Sequence, residues 1–238
     1  MCFSASVSYG TAVVLAGTGV YAVQQARQLP RRYLLWALIP VLFGIQQAFE
    51  GMVWQALAAG DTSGGDTSGG NTGAVPFALG FHFFSHFLWL WWLPLCSYLV
   101  EPGRVRRRVF AGCTVFGAFA GALVYGVMLL HPEWMAVTVR EHSINYQFSV
   151  PWRSAIHLPV TPAALYALTI LVPLLFSSHR RIMIFGALVA ASVLLASQAY
   201  AYAYVSVWCF FAAALSLYLV YMILRLVAES NRSLPDQV

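Results

Sequence analysis

The stretch Pro40-Val41-Leu42-Phe43-Gly44-Ile45-Gln46-Gln47-Ala48-Phe49-Glu50-Gly51-Met52-Val53-Trp54 lies inside an apolar run long enough to cross a membrane, yet it carries a carboxylate and two amides. A charged side chain at the centre of a bilayer costs about 2.5–3.5 kcal/mol on insertion scales. The fold must therefore supply Glu50, Gln46 and Gln47 with partners. Gln46, Gln47, Glu50 and Trp54 are spaced by three and four, which puts them on one helix face. Gly44 and Gly51, seven apart, let a neighbouring helix approach closely.

The rest of the chain is built for the same environment. Of 238 residues, 60% are hydrophobic and 9% charged, whereas about a quarter of a soluble domain is charged. All 13 basic residues are arginine. Without lysine there is no Schiff-base, pyridoxal phosphate or Walker chemistry. The net charge of +5 comes from arginines between apolar runs, so it reports topology and not affinity for nucleic acid.

With about 20 apolar residues per crossing, seven spans are expected, at about 5–26, 33–59, 76–99, 109–130, 160–177, 182–202 and 205–227. Eleven arginines follow the first, third, fifth and seventh spans, and only Arg140 and Arg153 fall on the other side. The positive-inside rule then sets the N terminus outside and the C terminus in the cytoplasm. The expectation is a single all-α domain over residues 1–238, a seven-transmembrane helix bundle with the lipid bilayer as its main partner. No cleavable signal peptide is expected, since the first apolar run is of spanning length and lacks a basic lead. Pro40, Pro94 and Pro173 fall within spans and are expected to kink them.

Two outer loops differ in kind. Residues 60–75 repeat Gly-Asp-Thr-Ser-Gly, the composition of a flexible solvated linker, and lack the spacing of a calcium loop. Residues 131–159 hold Trp134, Tyr146, Phe148, Trp152 and the histidines His131, His142 and His157. That aromatic content argues for an ordered lid or interfacial helix over the outer face.

In the third span His82 and His86 are four apart and share a face. Measured along each helix, Glu50 lies about 13 Å from the outer end, His86 about 15 Å and His82 about 9 Å. Gln198, Trp208 and Cys209 fall in the same outer half, as does Cys2. Two readings follow. In one, these side chains line an outward-facing pocket, with Glu50, Gln46, Gln47, Trp54, Gln198, Trp208 and Cys209 around a small ligand. There His86, His82, Glu50 and His142 hold a divalent metal such as zinc, which would be stored, carried or used to activate water. In the other, Glu50 accepts hydrogen bonds across helices and the network fixes packing alone. A proton relay through Glu50 is a further alternative. Cys2 reads first as a small residue tolerated at an exposed end; the alternative, once Met1 is removed, is an N-terminal ligand or nucleophile built from its thiol and free α-amine. The four cysteines show no paired spacing, so no disulfide framework is expected. These residues locate a site and a topology without specifying a reaction.

Three blocks in order, Met1-Cys2-Phe3-Ser4-Ala5, Phe43-Gly44-Ile45-Gln46-Gln47 to Trp54, and Val207-Trp208-Cys209-Phe210-Phe211-Ala212-Ala213, resemble an uncharacterised family of bacterial multi-spanning membrane proteins that begin Met-Cys-Phe-Ser-Ala. The resemblance runs end to end and implies a plasma (inner) membrane protein with no assigned activity. It also implies a lid role for His142, Asn145 and Tyr146, while the Gly-Asp-Thr-Ser-Gly repeat looks like an insertion. A second comparison is with the seven-span zinc hydrolases of the ceramidase and adiponectin-receptor superfamily. Here the His-x-x-x-His pair lies on the third span and no intramembrane aspartate is present, so a metal-dependent hydrolase stands as an alternative, beside a proton-coupled transporter.

Overall fold

The computed structural model describes residues 4–61, 72–140, 143–149, 161–199 and 204–232. The expectations for Cys2, His142, His157, Trp152, Arg153 and residues 62–71 of the Gly-Asp-Thr-Ser-Gly repeat fall outside the described residues, while Gly60 and Asp61 end the second helix. Nine α-helices and one hairpin are described: α1 (Ala5–Ala26), α2 (Leu34–Asp61), α3 (Val75–His82), α4 (Trp89–Val100), α5 (Arg104–Leu130), β1 (Met135–Arg140), β2 (Ser143–Phe148), α6 (Pro162–Leu175), α7 (Arg180–Ala199), α8 (Tyr204–Leu215) and α9 (Leu217–Arg232). A π-helical turn, Phe83–Leu88, joins α3 to α4, so the two continue as one apolar rod, Val75–Val100. α8 and α9 are likewise one apolar run broken at Ser216, whose hydroxyl turns back to Ala213 O at 2.6 Å.

Among the described residues six runs are long and apolar enough to cross a membrane. The fifth expected span differs: α6 has 14 residues, about 21 Å against a hydrocarbon core of about 30 Å. Pro40, Pro94 and Pro173 all sit inside helices, as expected.

α1 lies along α2 because small residues remove the barrier between backbones. A Cβ on Gly44 would stand 3.0 Å from Ala12 O, and one on Gly51 would enter the Tyr9 ring. The main core gathers Trp36, Phe43, Trp89, Leu93, Leu174, Phe185, Leu219 and Met222, with Phe43 and Trp89 stacked at 4.1 Å. α5 is peripheral. Its Val115 and Phe119 are each 71% exposed and Leu130 76%, more apolar surface than a soluble face carries and what a lipid-facing helix requires.

The loop after α5 is an antiparallel hairpin, not an interfacial helix, paired from Met135↔Phe148 to Arg140↔Ser143. β-branched and aromatic residues at alternate positions favour a pleated strand. Its inner side chains, Met135, Val137 and Ile144, form a second small core with Val53, Ala78 and Met128. The hairpin therefore closes one end of the bundle.

The arginine-rich loops meet at the opposite end. Glu101, 3% exposed, accepts from Ser178 N at 2.8 Å, Ser178 Oγ at 2.5 Å and Gly103 N at 3.1 Å. Arg106 donates to Ser178 Oγ at 2.7 Å, and His179 Nε2 lies 2.9 Å from Val100 O. Burial alone would raise the Glu101 pKa, but the hydrogen bonds from Ser178 and Gly103, with Arg106 close by, hold it below the ordinary carboxylate value. Arg181 pairs with Glu229 through both nitrogens, tying α7 to α9.

Candidate functional site

α2 positions the polar residues because it runs through the middle of the bundle. Its face bearing Gln46, Gln47 and Glu50 meets protein on every side, and all three are fully buried. Gln47 Nε2 donates to Glu50 Oε2 at 3.0 Å, and Ser206 Oγ on α8 donates to Glu50 Oε1 at 2.5 Å. Trp89 Nε1 donates to Gln46 Oε1 at 2.8 Å, and the Cys209 thiol lies beside Gln46. Gln46 Nε2 and Gln47 Oε1 are buried with no partner among the described residues. A small void of about 20 Å³ adjoins Trp89, Tyr166, Trp208 and Cys209, room for about one water molecule.

The histidines form a separate cluster. His82 Nδ1 and His86 Nδ1 stand 3.0 Å apart, and Ser85 Oγ lies 3.1 Å from the first and 2.9 Å from the second. His82 is 2% exposed. The π turn creates this arrangement by widening the helix between the two imidazoles, and π turns recur at functional sites. Tyr166 of α6 donates to Ser85 O at 2.5 Å, taking a carbonyl of that turn. From the hairpin, Tyr146 stacks on Phe81 at 5.2 Å and meets the His82 ring edge-on at 4.7 Å. The hairpin thus covers the imidazole pair.

The polar side chains form two hydrogen-bonded clusters, and among the described residues no hydrogen bond joins Glu50 to His82 or His86. Gln47 and Ser206 reach the carboxylate because they lie on the α2–α8 seam, whereas the imidazoles turn toward each other and the hairpin. Gln198 is exposed on α7 and joins neither cluster. Trp54 belongs to the small core beneath the hairpin, and its Nε1 has no partner among the described residues. Trp208 packs edge-on against Tyr166 at 5.2 Å, next to the void. No group of three His, Cys, Asp or Glu side chains able to hold a metal occurs among the described residues. Cys96, Cys113 and Cys209 are free thiols.

Sequence reasoning missed Ser85, Tyr166 and Ser206. Serine in an apolar helix commonly bonds back to its own turn, so neither serine stands out from its neighbours. The signal for Ser206 was indirect: a carboxylate in hydrocarbon requires a donor from another helix.

Six helical runs among the described residues, each long and apolar enough to cross a membrane, packed around an enclosed carboxylate, define a helical membrane protein. The chain belongs to a family of unknown function (DUF6629), whose model matches residues 1–233. That agrees with the end-to-end resemblance of its three sequence blocks. No curated protein and no solved structure gave a significant match.

Proposed function

We propose that this is a seven-crossing protein, N terminus outside and C terminus in the cytoplasm, which binds a divalent metal ion such as zinc at His82 and His86 beneath the hairpin. One observation carries the metal reading: two Nδ1 atoms 3.0 Å apart, with a serine oxygen close to both. Two ligands at about 2.0–2.1 Å from a tetrahedral zinc stand about 3.3 Å apart, so small ring rotations would admit the ion. His142, which the sequence places between β1 and β2, is the proposed third ligand. Glu50 anchors α8 to α2 and is not a ligand in this reading.

The seventh crossing is supported by where the loops meet. The loops before α5 and after α6 are bonded to each other at the arginine-rich end, while the hairpin follows the far end of α5. α6 is then the return crossing, despite its length. A C-terminal reporter active only in the cytoplasm is expected to be active; one active only outside would reverse the topology.

The metal is tested by elemental analysis of protein purified without chelators, alongside His82→Ala, His86→Ala and Glu50→Gln. About one zinc per chain is expected in wild type and Glu50→Gln, and none in either histidine variant. Wild-type protein that takes up no zinc on dialysis against it would remove the reading.

A further inference from the structure

At the arginine-rich end, away from both polar clusters, a cleft of about 550 Å³ opens between the start of α2, the start of α7 and α9. That volume suits a small ligand or a lipid headgroup. Its polar wall carries Tyr33, Arg180, Arg181, Tyr218 and Tyr221, and its apolar wall includes Ile184 and Leu226.

The charges at this wall are unbalanced. Arg181 is neutralised by Glu229. Arg180 and Arg181 line the cleft, and Arg225 stacks over Tyr221 and Arg32 over Tyr33, so among the described residues two lining guanidinium groups and two more against its tyrosines stand against that one carboxylate. Arg180 is exposed and makes no hydrogen bond or ion pair among the described residues. The hydroxyls of Tyr33 and Tyr218 likewise make no hydrogen bond among them. Free cation and free donors thus face one space, which is the chemistry that receives a phosphate. The apolar wall is the second half of the argument. Ile184 is 41% exposed and leads from the charged rim along the apolar side of the bundle, a path that suits an acyl chain and that a soluble phosphate would not use.

We propose that this cleft binds an anionic phospholipid, its phosphate on Arg180 and the hydroxyls of Tyr33 and Tyr218, its acyl chain along Ile184 and Leu226. Basic clefts between membrane helices recognise anionic headgroups in this way. The inference rests on the reading that the arginine-rich end lies at the membrane surface, and it is independent of the metal.

The test uses full-length protein in neutral detergent, titrated by native mass spectrometry with phosphatidylglycerol, phosphatidylcholine and soluble glycerol phosphate. Phosphatidylglycerol is expected to bind in preference to phosphatidylcholine, and Arg180→Gln to weaken it about fivefold, the share of one guanidinium near a membrane surface. Arg108→Gln removes the same charge from an exposed position at the same end but outside the cleft, and is expected to leave binding unchanged. Both side chains are exposed, so neither change bears on folding. Equal loss in the two variants would reduce the effect to surface charge and overturn the proposal. So would equal binding of the two lipids. Glycerol phosphate displacing the lipid at equal concentration would assign the cleft to a soluble ligand and overturn it as well. Metal content and reporter activity do not enter this readout, so failure here is distinct from failure of the topology or of the metal site.

Discussion

Among the described residues Glu50 accepts from Gln47 in its own turn and from Ser206 of α8, and the second bond matters more because it is not local. A hydrogen bond to a charged group contributes about 1.5–3 kcal/mol in water-soluble proteins, and interhelical bonds in membranes average less. Ser206→Ala is therefore expected to lower stability by about 1–2 kcal/mol, read as earlier thermal unfolding in detergent by circular dichroism. Glu50→Gln keeps an acceptor for Ser206 and is expected to fall short of that loss. Glu50→Leu, which strips partners from Ser206 and Gln47 together, should exceed it. A Ser206→Ala protein that unfolds with wild type would mean the carboxylate is held by other groups. Glu50, Gln46 and Gln47 were legible from sequence because polar side chains in hydrocarbon demand explanation. The split between Glu50 and the imidazoles was not, because equal depth along two helices says nothing of rotation about their axes. Gln198 shows the same thing: it is exposed on α7, and position along a helix does not say which way a side chain faces.

Helices pack here where glycine lets backbones touch, and one contact is tighter than the rest. A Cβ on Gly117 of α5 would stand 2.0 Å from Leu90 O of α4, and one on Gly121 would stand 3.0 Å from His86 O of the π turn. Two glycines four apart thus seat α5 along the rod that carries the histidines, a small-xxx-small contact. Gly117→Ala is expected to cost about 3 kcal/mol or more, because the obstacle is a backbone carbonyl that cannot rotate away. Gly112 and Gly126, on the same helix, have nothing within 4 Å of such a Cβ. Their alanine variants are expected to be neutral or more stable by up to about 1 kcal/mol. Folded yield and unfolding temperature in detergent read both; equal behaviour of Gly117→Ala and Gly112→Ala would mean that α5 is not seated there. Helix positions were readable from apolar length, since nothing else in the chain competes with that signal. The π turn was not, because Phe83–Leu88 has no composition that separates it from ordinary helix. The hairpin was half readable: aromatic content predicted order, while its strand form depends on packing against α3 that a loop sequence does not display.

Among the described residues Arg32, Arg106, Arg180 and Arg181 gather at one end and the hairpin caps the other, and the sequence points to such a polarity in its eleven arginines against two. Its mechanical consequence was not legible there, because Glu101 reads as an ordinary loop carboxylate until Ser178, 77 positions away, is placed against it. The Glu101 bonds join the loop between α4 and α5 to the loop between α6 and α7, so one carboxylate ties both halves of the bundle. Its folded-state pKa lies below the ordinary value of 4.5. The unfolded chain therefore takes up a proton first as pH falls, and the stability that Glu101 contributes is present above about pH 4.5 and is lost as pH drops through the lower, folded value. Glu229, paired with Arg181, is more than half exposed, and solvent screens that pair. Unfolding temperature in detergent, followed from about pH 7 to about pH 3.5, is expected to fall in wild type over the acidic part of that range. Glu101→Gln should begin lower and lose less there, so that the two curves converge, while Glu229→Gln should run nearly parallel to wild type. Convergence by Glu229→Gln instead, with Glu101→Gln parallel, would place the tie between α7 and α9 and leave the Glu101 bonds without weight in holding the helices together.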